Sequence, residues 1–243
     1  MCYALSWMMA PTLLQSARGS LGWTQKRAAR RLGVTQAYLS MLERGHRIPP
    51  PVLVLRLAEV YCLSPAVLPL PGGEWQPPTG EREIGGELAR LGYGGRGGRR
   101  GQAKNPAVVL VTALSQAELE PRLVEALPWL FLRYPEMDAA WLLDRARRLD
   151  LQNRLGFLVS LGREVREARG EPVPQNLIEL EAALDRSRLA RFGTLCQSSM
   201  SEDEGRYLYE NRSETARRWN LLTDLKAEEL PYAGGDQFRK KRR

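Results

Sequence analysis

A single histidine limits the chemistry open to this chain of 243 residues. His46 stands alone, so a triad with an imidazole base, a His-Glu-x-x-His zinc site or a histidine-based ribonuclease loses its central residue unless His46 supplies it. The three cysteines, Cys2, Cys62 and Cys196, form no Cys-x-x-Cys pair. That argues against a cysteine zinc site or a disulfide framework and for a reducing cytoplasm. Two acidic pairs have the composition of an acid and a base, Asp138 with Asp144 and Glu164 with Glu167. Each lies among arginines at helical spacing, so ion pairs on a helix face are the expected use. The sequence contains no Gly-x-x-x-x-Gly-Lys-Ser/Thr loop to cradle a phosphate. The expectation is a protein that is not an enzyme and that holds no metal or cofactor.

Charge distribution points elsewhere. The net charge of +8 is spread unevenly: residues 1–70 hold eight Lys/Arg against two Asp/Glu, residues 107–232 hold 17 against 21, and residues 233–243 hold five against one. A basic head and a basic tail flank an acidic body, which places any polyanion at the ends of the chain.

Residues 24–45, TQKRAARRLGVTQAYLSMLERG, supply the elements that would present those charges. With Gln25 as the first residue of a helix, Ala29 follows four later and is small enough for two helices to touch. Gly33 follows four later again and can take the positive φ of a tight turn. Leu32, Val34, Leu39 and Leu42 fall where a second helix buries its inner face. Thr24 is placed to cap the first helix and Thr35 the second, so the turn is Gly33-Val34-Thr35.

On these residues the segment resembles the Xre/Cro family of phage-repressor-type helix-turn-helix DNA-binding domains. The resemblance covers Leu13 to Leu68 and includes Gln25, the Leu32-Gly33-Val34-Thr35 turn, the Glu43-Arg44-Gly45 terminus, Pro49 and the run Leu53–Tyr61. Two positions depart from the family pattern: Ala28 stands where Leu is usual, and Pro50 replaces a Ser cap. The resemblance implies an ion pair between Arg18 and Glu43, and a second helix lying in the major groove of double-stranded DNA. Carried over position by position, Gln36, Ala37 and Met41 face bases, with Tyr38 and Ser40 at the margin. Gln36 has the chemistry to bridge adenine N6 and N7, while Ala37 and Met41 offer apolar contact to a thymine methyl. Gln25, Thr35, Arg44, His46 and Arg47 fall where the family grips phosphate, and Lys26, Arg27, Arg30 and Arg31 add to the field.

The expected architecture is all-α: a five-helix helix-turn-helix domain over 13–70, a Gly/Pro-rich linker over 71–106, a helical domain over 107–232 and a basic tail over 233–243. The linker assignment rests on 11 of the 22 glycines falling in residues 71–106, with a short helix from Glu83 to Leu91 inside it. GYGGRGGRRG at 92–101 reads as a hinge with solubilising arginines. The apolar first fifteen residues lack a basic start and read as a ragged leader to a helix, with Met8 or Met9 as the natural start. Capping boxes are expected at Ser115–Glu118 and Ser201–Glu204. The pair Asn105-Pro106 is expected to open a helix. Residues 151–166 read as an amphipathic helix with Leu151, Leu155, Leu158 and Val159 inside and Arg154, Arg163 and Arg166 facing solvent. Trp129, Trp141 and Trp219 read as core anchors, and residues 107–133 and 139–169 as stacked hairpins. The functional expectation is a bacterial transcriptional regulator, cytoplasmic, homodimeric and without a membrane span. The rival is an antitoxin-like protein whose 107–232 domain grips a toxin-like partner; an enzyme with a DNA-targeting head is the third possibility.

Overall fold

The computed structural model describes residues 10–78, 80–94 and 103–234. The chain divides into two compact units, Met1–Gln76 and Pro77–Arg243. The Met8 and Met9 start, most of the glycine-arginine run and most of the basic tail lie outside the described residues. No helix among those described is long and apolar enough to cross a membrane.

Among the described residues the first unit contains four α-helices: α1 (Ala10–Ser20), α2 (Gln25–Leu32), α3 (Gln36–Glu43) and α4 (Pro51–Val60). A 3-10 turn at Pro65–Val67 occupies the fifth helical position. Helices of eight residues are marginal in isolation, so tertiary burial must hold them. Leu14, Ala28, Ala29, Leu32, Leu39, Leu42, Leu53, Val54, Leu57 and Tyr61 form that core, drawing on each of these four helices. Of the two departures, Ala28 is fully buried, and Pro50 begins α4 with no side-chain cap while Pro51 takes the first helical position. Proline fits there because the N–H it lacks would have no partner within the helix.

The second unit is built around α10 (Gln152–Ala168), buried on nearly every side from Leu155 to Val165. A helix apolar all round belongs in the middle of a domain. Around it stand α5 (Glu81–Arg90), α6 (Pro106–Leu114), α7 (Pro121–Ala126), α8 (Trp129–Arg133), α9 (Ala139–Arg148), α11 (Gln175–Asp185), α12 (Glu202–Asn211) and α13 (Glu214–Arg218). Two-residue parallel strands, β1 (Gly193–Thr194) and β2 (Leu221–Leu222), are the only sheet among the described residues. Asn105 caps α6, accepting the Ala107 amide at 2.9 Å, as the Asn-Pro pair predicts. Ser201 likewise caps α12 through the Glu204 amide. Trp219 and Trp141 are buried, and Trp129 is half-buried.

Four expectations are corrected here. The 71–106 stretch is not a linker throughout, because α5 packs on α6 and α7 and buries Ile84, Leu88 and Leu91. Those three residues form a helical stripe that the glycine count conceals. Ser115 opens no capping box: it ends α6, its hydroxyl donates to Val111 O at 2.7 Å, and Glu118 instead accepts the Ser198 and Ser199 amides. Arg154 and Arg166 do not face solvent. Arg154 donates to Thr194 O and Leu114 O at 2.8 and 2.6 Å, and Arg166 to Leu132 O at 2.9 Å, meeting carbonyls that helix ends and strands leave over. Residues 107–133 form three short helices rather than the two-helix hairpin expected to stack on a second hairpin at 139–169.

Candidate nucleic-acid interface

The turn between α2 and α3 follows from its residue types. Gly33 closes α2 in the left-handed region, φ 68° and ψ 32°. The Val34 amide donates to Ala29 O at 3.0 Å, bringing the chain back onto the small residue. Thr24 and Thr35 cap the two helices, accepting the Arg27 and Tyr38 amides at 3.2 and 3.1 Å. The guanidinium of Arg56 on α4 lies against Gly33 and donates to Arg31 O at the end of α2. A side chain in place of Gly33 would meet Arg56 Nη1 at 3.0 Å. The turn is thus held from within by φ and from outside by α4.

Burial orients α3. Leu39, Leu42 and Glu43 point inward. At about 100° per residue, Gln36, Ala37, Ser40, Met41 and Arg44 then fall within an outward arc of roughly 140°. Gln36, Ala37 and Arg44 are exposed, and Ser40 and Met41 are half-exposed. Tyr38 falls outside the arc and packs, partly buried, against the core. Thr35, His46 and Arg47 are exposed at the two ends of the helix. The Thr35 oxygen accepts the Tyr38 amide, and its hydroxyl proton remains available to a ligand.

The inward carboxylate of Glu43 is the hub of the unit. Arg18 reaches it with two bonds, Nε to Oε1 at 2.6 Å and Nη2 to Oε2 at 3.0 Å, and also donates to Trp23 O. The hydrogen bond it donates to Glu43 holds the Arg18 pKa above its ordinary value. Gln25 Nε2 donates to Glu43 Oε2 at 2.8 Å. The network therefore ties the ends of α1 and α3 to the start of α2. Gln25, expected to grip phosphate, gives one of its two amide protons to this internal contact. Tyr61 is buried close by, and desolvation pushes its phenol up to about 12.

Sequence reasoning did not single out Trp23 and Arg56. Trp23 carries the guanidinium carbons of Arg31 and Arg27 at 4.8 and 5.4 Å from its ring centroid. The spacing of 23, 27 and 31, one helical turn each, was the available signal. The role of Arg56 depends on where α4 docks and has no local signal.

The acidic pairs of the second unit do not converge on a shared site. Asp138 caps α9 through the Trp141 amide, while Asp144 pairs with Arg148 at 2.9 Å. Glu167 pairs with Arg163 at 2.7 Å. Glu164 accepts from Thr215, and burial raises its pKa.

Among known families, the one described as helix-turn-helix matches residues 14–68, under a quarter of the chain. No curated protein and no solved structure matches. The match begins within α1 and takes in α2, α3, α4 and the turn described above. The chain carries an N-terminal helix-turn-helix domain of the Xre/Cro-like family, a DNA-binding domain of transcriptional regulators.

Proposed function

We propose that the protein is a sequence-specific transcriptional regulator of bacterial type, acting in the cytoplasm with α3 in the major groove of duplex DNA. The observation that carries this reading is the single outward face of α3, polar at Gln36, Ser40 and Arg44 and apolar at Ala37 and Met41. In the groove, Gln36 bridges adenine N6 and N7, and Ala37 and Met41 lie against thymine methyls, with Tyr38 and Ser40 at the margin. Thr35, Arg44, His46, Arg47 and the second amide proton of Gln25 hold phosphates on either side. With one strong polar reader, a single head binds weakly. Two linked copies gain effective concentration without new contacts. The protein therefore works as a homodimer joined through residues 107–232, with 13–70 as the reading head.

Footprinting on the protein's own promoter, paired with light scattering of the full chain, tests this. The expected result is a dimer protecting two half-sites about 34 Å, one helical turn, or a small multiple apart. A monomer at micromolar concentration protecting one undivided site overturns it.

An antitoxin-like reading is favoured by one feature of the second unit. Phe192, Tyr207 and Tyr209 are exposed, and Arg212 lies 4.0 Å from the Tyr209 ring centroid and 5.1 Å from that of Phe192. Exposed aromatics around an arginine are the usual anchors of a protein interface. Capture of the product of a co-transcribed neighbouring gene, lost in Tyr209→Ala, would support a partner held through 107–232. Capture that Tyr209→Ala leaves unchanged counts against this face.

A further inference from the structure

Of the ten residues of α12, only Leu208 is buried. A surface helix ordinarily buries a stripe of roughly three to four side chains per two turns, as α11 does with Leu177, Leu180, Glu181 and Leu184. Most of α12 is left open. At about 100° per residue from Leu208, an arc of roughly 160° runs from Tyr209 through Glu202, Arg206, Glu210 and Asp203 to Tyr207. All six side chains are exposed, so two tyrosines frame an acidic ridge.

The rings mark this face as one made for contact. Tyr207 and Tyr209 are 59% and 51% exposed, and Phe192, 53% exposed, extends the face with its centroid 5.7 Å from that of Tyr209, edge to face. No cation or second ring lies on Tyr207 among the described residues. Aromatic side chains present large apolar area with little rotamer freedom to lose, which is why they anchor protein interfaces. Charge then selects the occupant. Three carboxylates share the arc with one guanidinium, and the pair of Arg206 with Asp203 at 3.5 Å is the only ion pair of α12 among the described residues. Glu202 and Glu210 have no such partner there. The ridge repels the phosphates of nucleic acid or anionic lipid and attracts lysine and arginine. Arg212 already shows how these rings take a cation, its guanidinium standing 4.0 Å from the Tyr209 centroid and 5.1 Å from that of Phe192. The open Tyr207 ring can take one from outside in the same way.

We propose that the outer face of α12 is a docking surface for a lysine- and arginine-rich segment of a partner protein. Tyr207 and Tyr209 hold the side chains of its cations, and Glu202, Asp203 and Glu210 pair with their charges. The inference rests on the reading of this corner as a protein interface and adds the chemistry of what binds there.

The test is fluorescence anisotropy of the full-length protein with a labelled decapeptide of alternating arginine and lysine, beside glycine-serine and leucine-serine decapeptides. Only the basic peptide should bind. Tyr207→Ala with Tyr209→Ala, which removes no charge, should weaken it at least about fivefold, the loss expected of an interface anchor. Glu202→Gln, Asp203→Asn and Glu210→Gln together should weaken it further and remove most of its salt dependence. Tyr207→Ala alone, where no second ring is disturbed, should show a loss in the same direction, and circular dichroism checks that each variant folds.

A basic peptide that is ignored overturns the proposal, and so does one held equally well by both tyrosine variants, which is diffuse charge attraction. Equal binding of the leucine-serine peptide makes the face an apolar groove and overturns it. Light scattering in which the tyrosine variant turns a dimer into a monomer places a second copy on the face, which also overturns it. The two readings fail separately. If a co-transcribed neighbour's product is captured through Tyr209 while the basic peptide is ignored, the interface stands and the basic chemistry falls. If the basic peptide binds through both tyrosines and no such product is captured, this surface stands and the antitoxin-like reading falls.

Discussion

Arg18 and Glu43, 25 positions apart, meet through two bonds of 2.6 and 3.0 Å, with the Glu43 side chain only 3% exposed. The pair joins the end of α1 to the end of α3, and Gln25 adds the start of α2 to the same carboxylate. A surface pair of this length would contribute little. Here burial of Glu43 changes the sign of the argument, since removing one partner strands the other.

Glu43→Ala should therefore destabilise the first unit by about 3 kcal/mol, because it leaves the Arg18 guanidinium largely buried without its partner. The matched change, Arg18→Met with Glu43→Leu, should recover most of that loss. Denaturant titration of the full chain, following the transition of the first unit, measures both. A loss below about 1 kcal/mol for Glu43→Ala would mean that the pair behaves as an exposed one.

In the second unit the sensitive position is Gly156. A Cβ there would lie 2.3 Å from two ring atoms of Trp219, which is fully buried and donates its indole N–H to Ser160 Oγ at 2.8 Å. Ser160 in turn donates to Glu181, and Glu181 receives Arg163 and Arg218. Gly156→Ala must move the ring and disturb that chain of bonds, so a cost of about 3 kcal/mol is expected. Near-ultraviolet circular dichroism with thermal unfolding reads it. A variant as stable as the parent, with an unchanged tryptophan spectrum, would contradict the close approach.

Burial also governs the two cysteines that the structure describes. Cys196 is fully buried, and desolvation pushes its thiol up to about 11 from an ordinary value of 9, whereas Cys62 is exposed. Iodoacetamide at pH 8 should label Cys62 and spare Cys196, as peptide mass spectrometry would show. The folded state holds the Cys196 proton more tightly than the unfolded chain does. Its contribution is therefore complete below pH 9 and is lost as pH rises toward about 11. Prompt labelling of Cys196 in the folded protein would exclude this environment.

Two residues on α3 should separate base reading from phosphate holding. Gln36→Ala should cost roughly 1–3 kcal/mol of discrimination at one base pair, whereas Arg44→Ala should weaken promoter and scrambled DNA alike and reduce the salt slope by about 0.9. Equal effects of both substitutions on both duplexes would reject the division of roles.

The helix-turn-helix was legible because its constraints are local. Thr24 and Thr35 cap the next three residues, Gly33 takes a φ that other residues avoid, and Leu39 and Leu42 mark the inner face at helical spacing. The all-α character of the whole chain follows in the same way from 3.6-residue periodicity. What only the tertiary structure decided depends on residues far apart in the chain. The α5 stripe of Ile84, Leu88 and Leu91 is short, and only its docking on α6 and α7 shows it to be core rather than linker. Arg154 and Arg166 have the composition of a solvated face, yet carbonyls 34 to 40 positions away claim their donors. Ser115 and Glu118 have the spacing of a cap, but Ser115 ends a helix and Glu118 is drawn to amides 80 positions on. Local steric preferences are written in neighbouring residues, whereas the partner of a long polar side chain is chosen by whichever unsatisfied group the folded chain brings within reach.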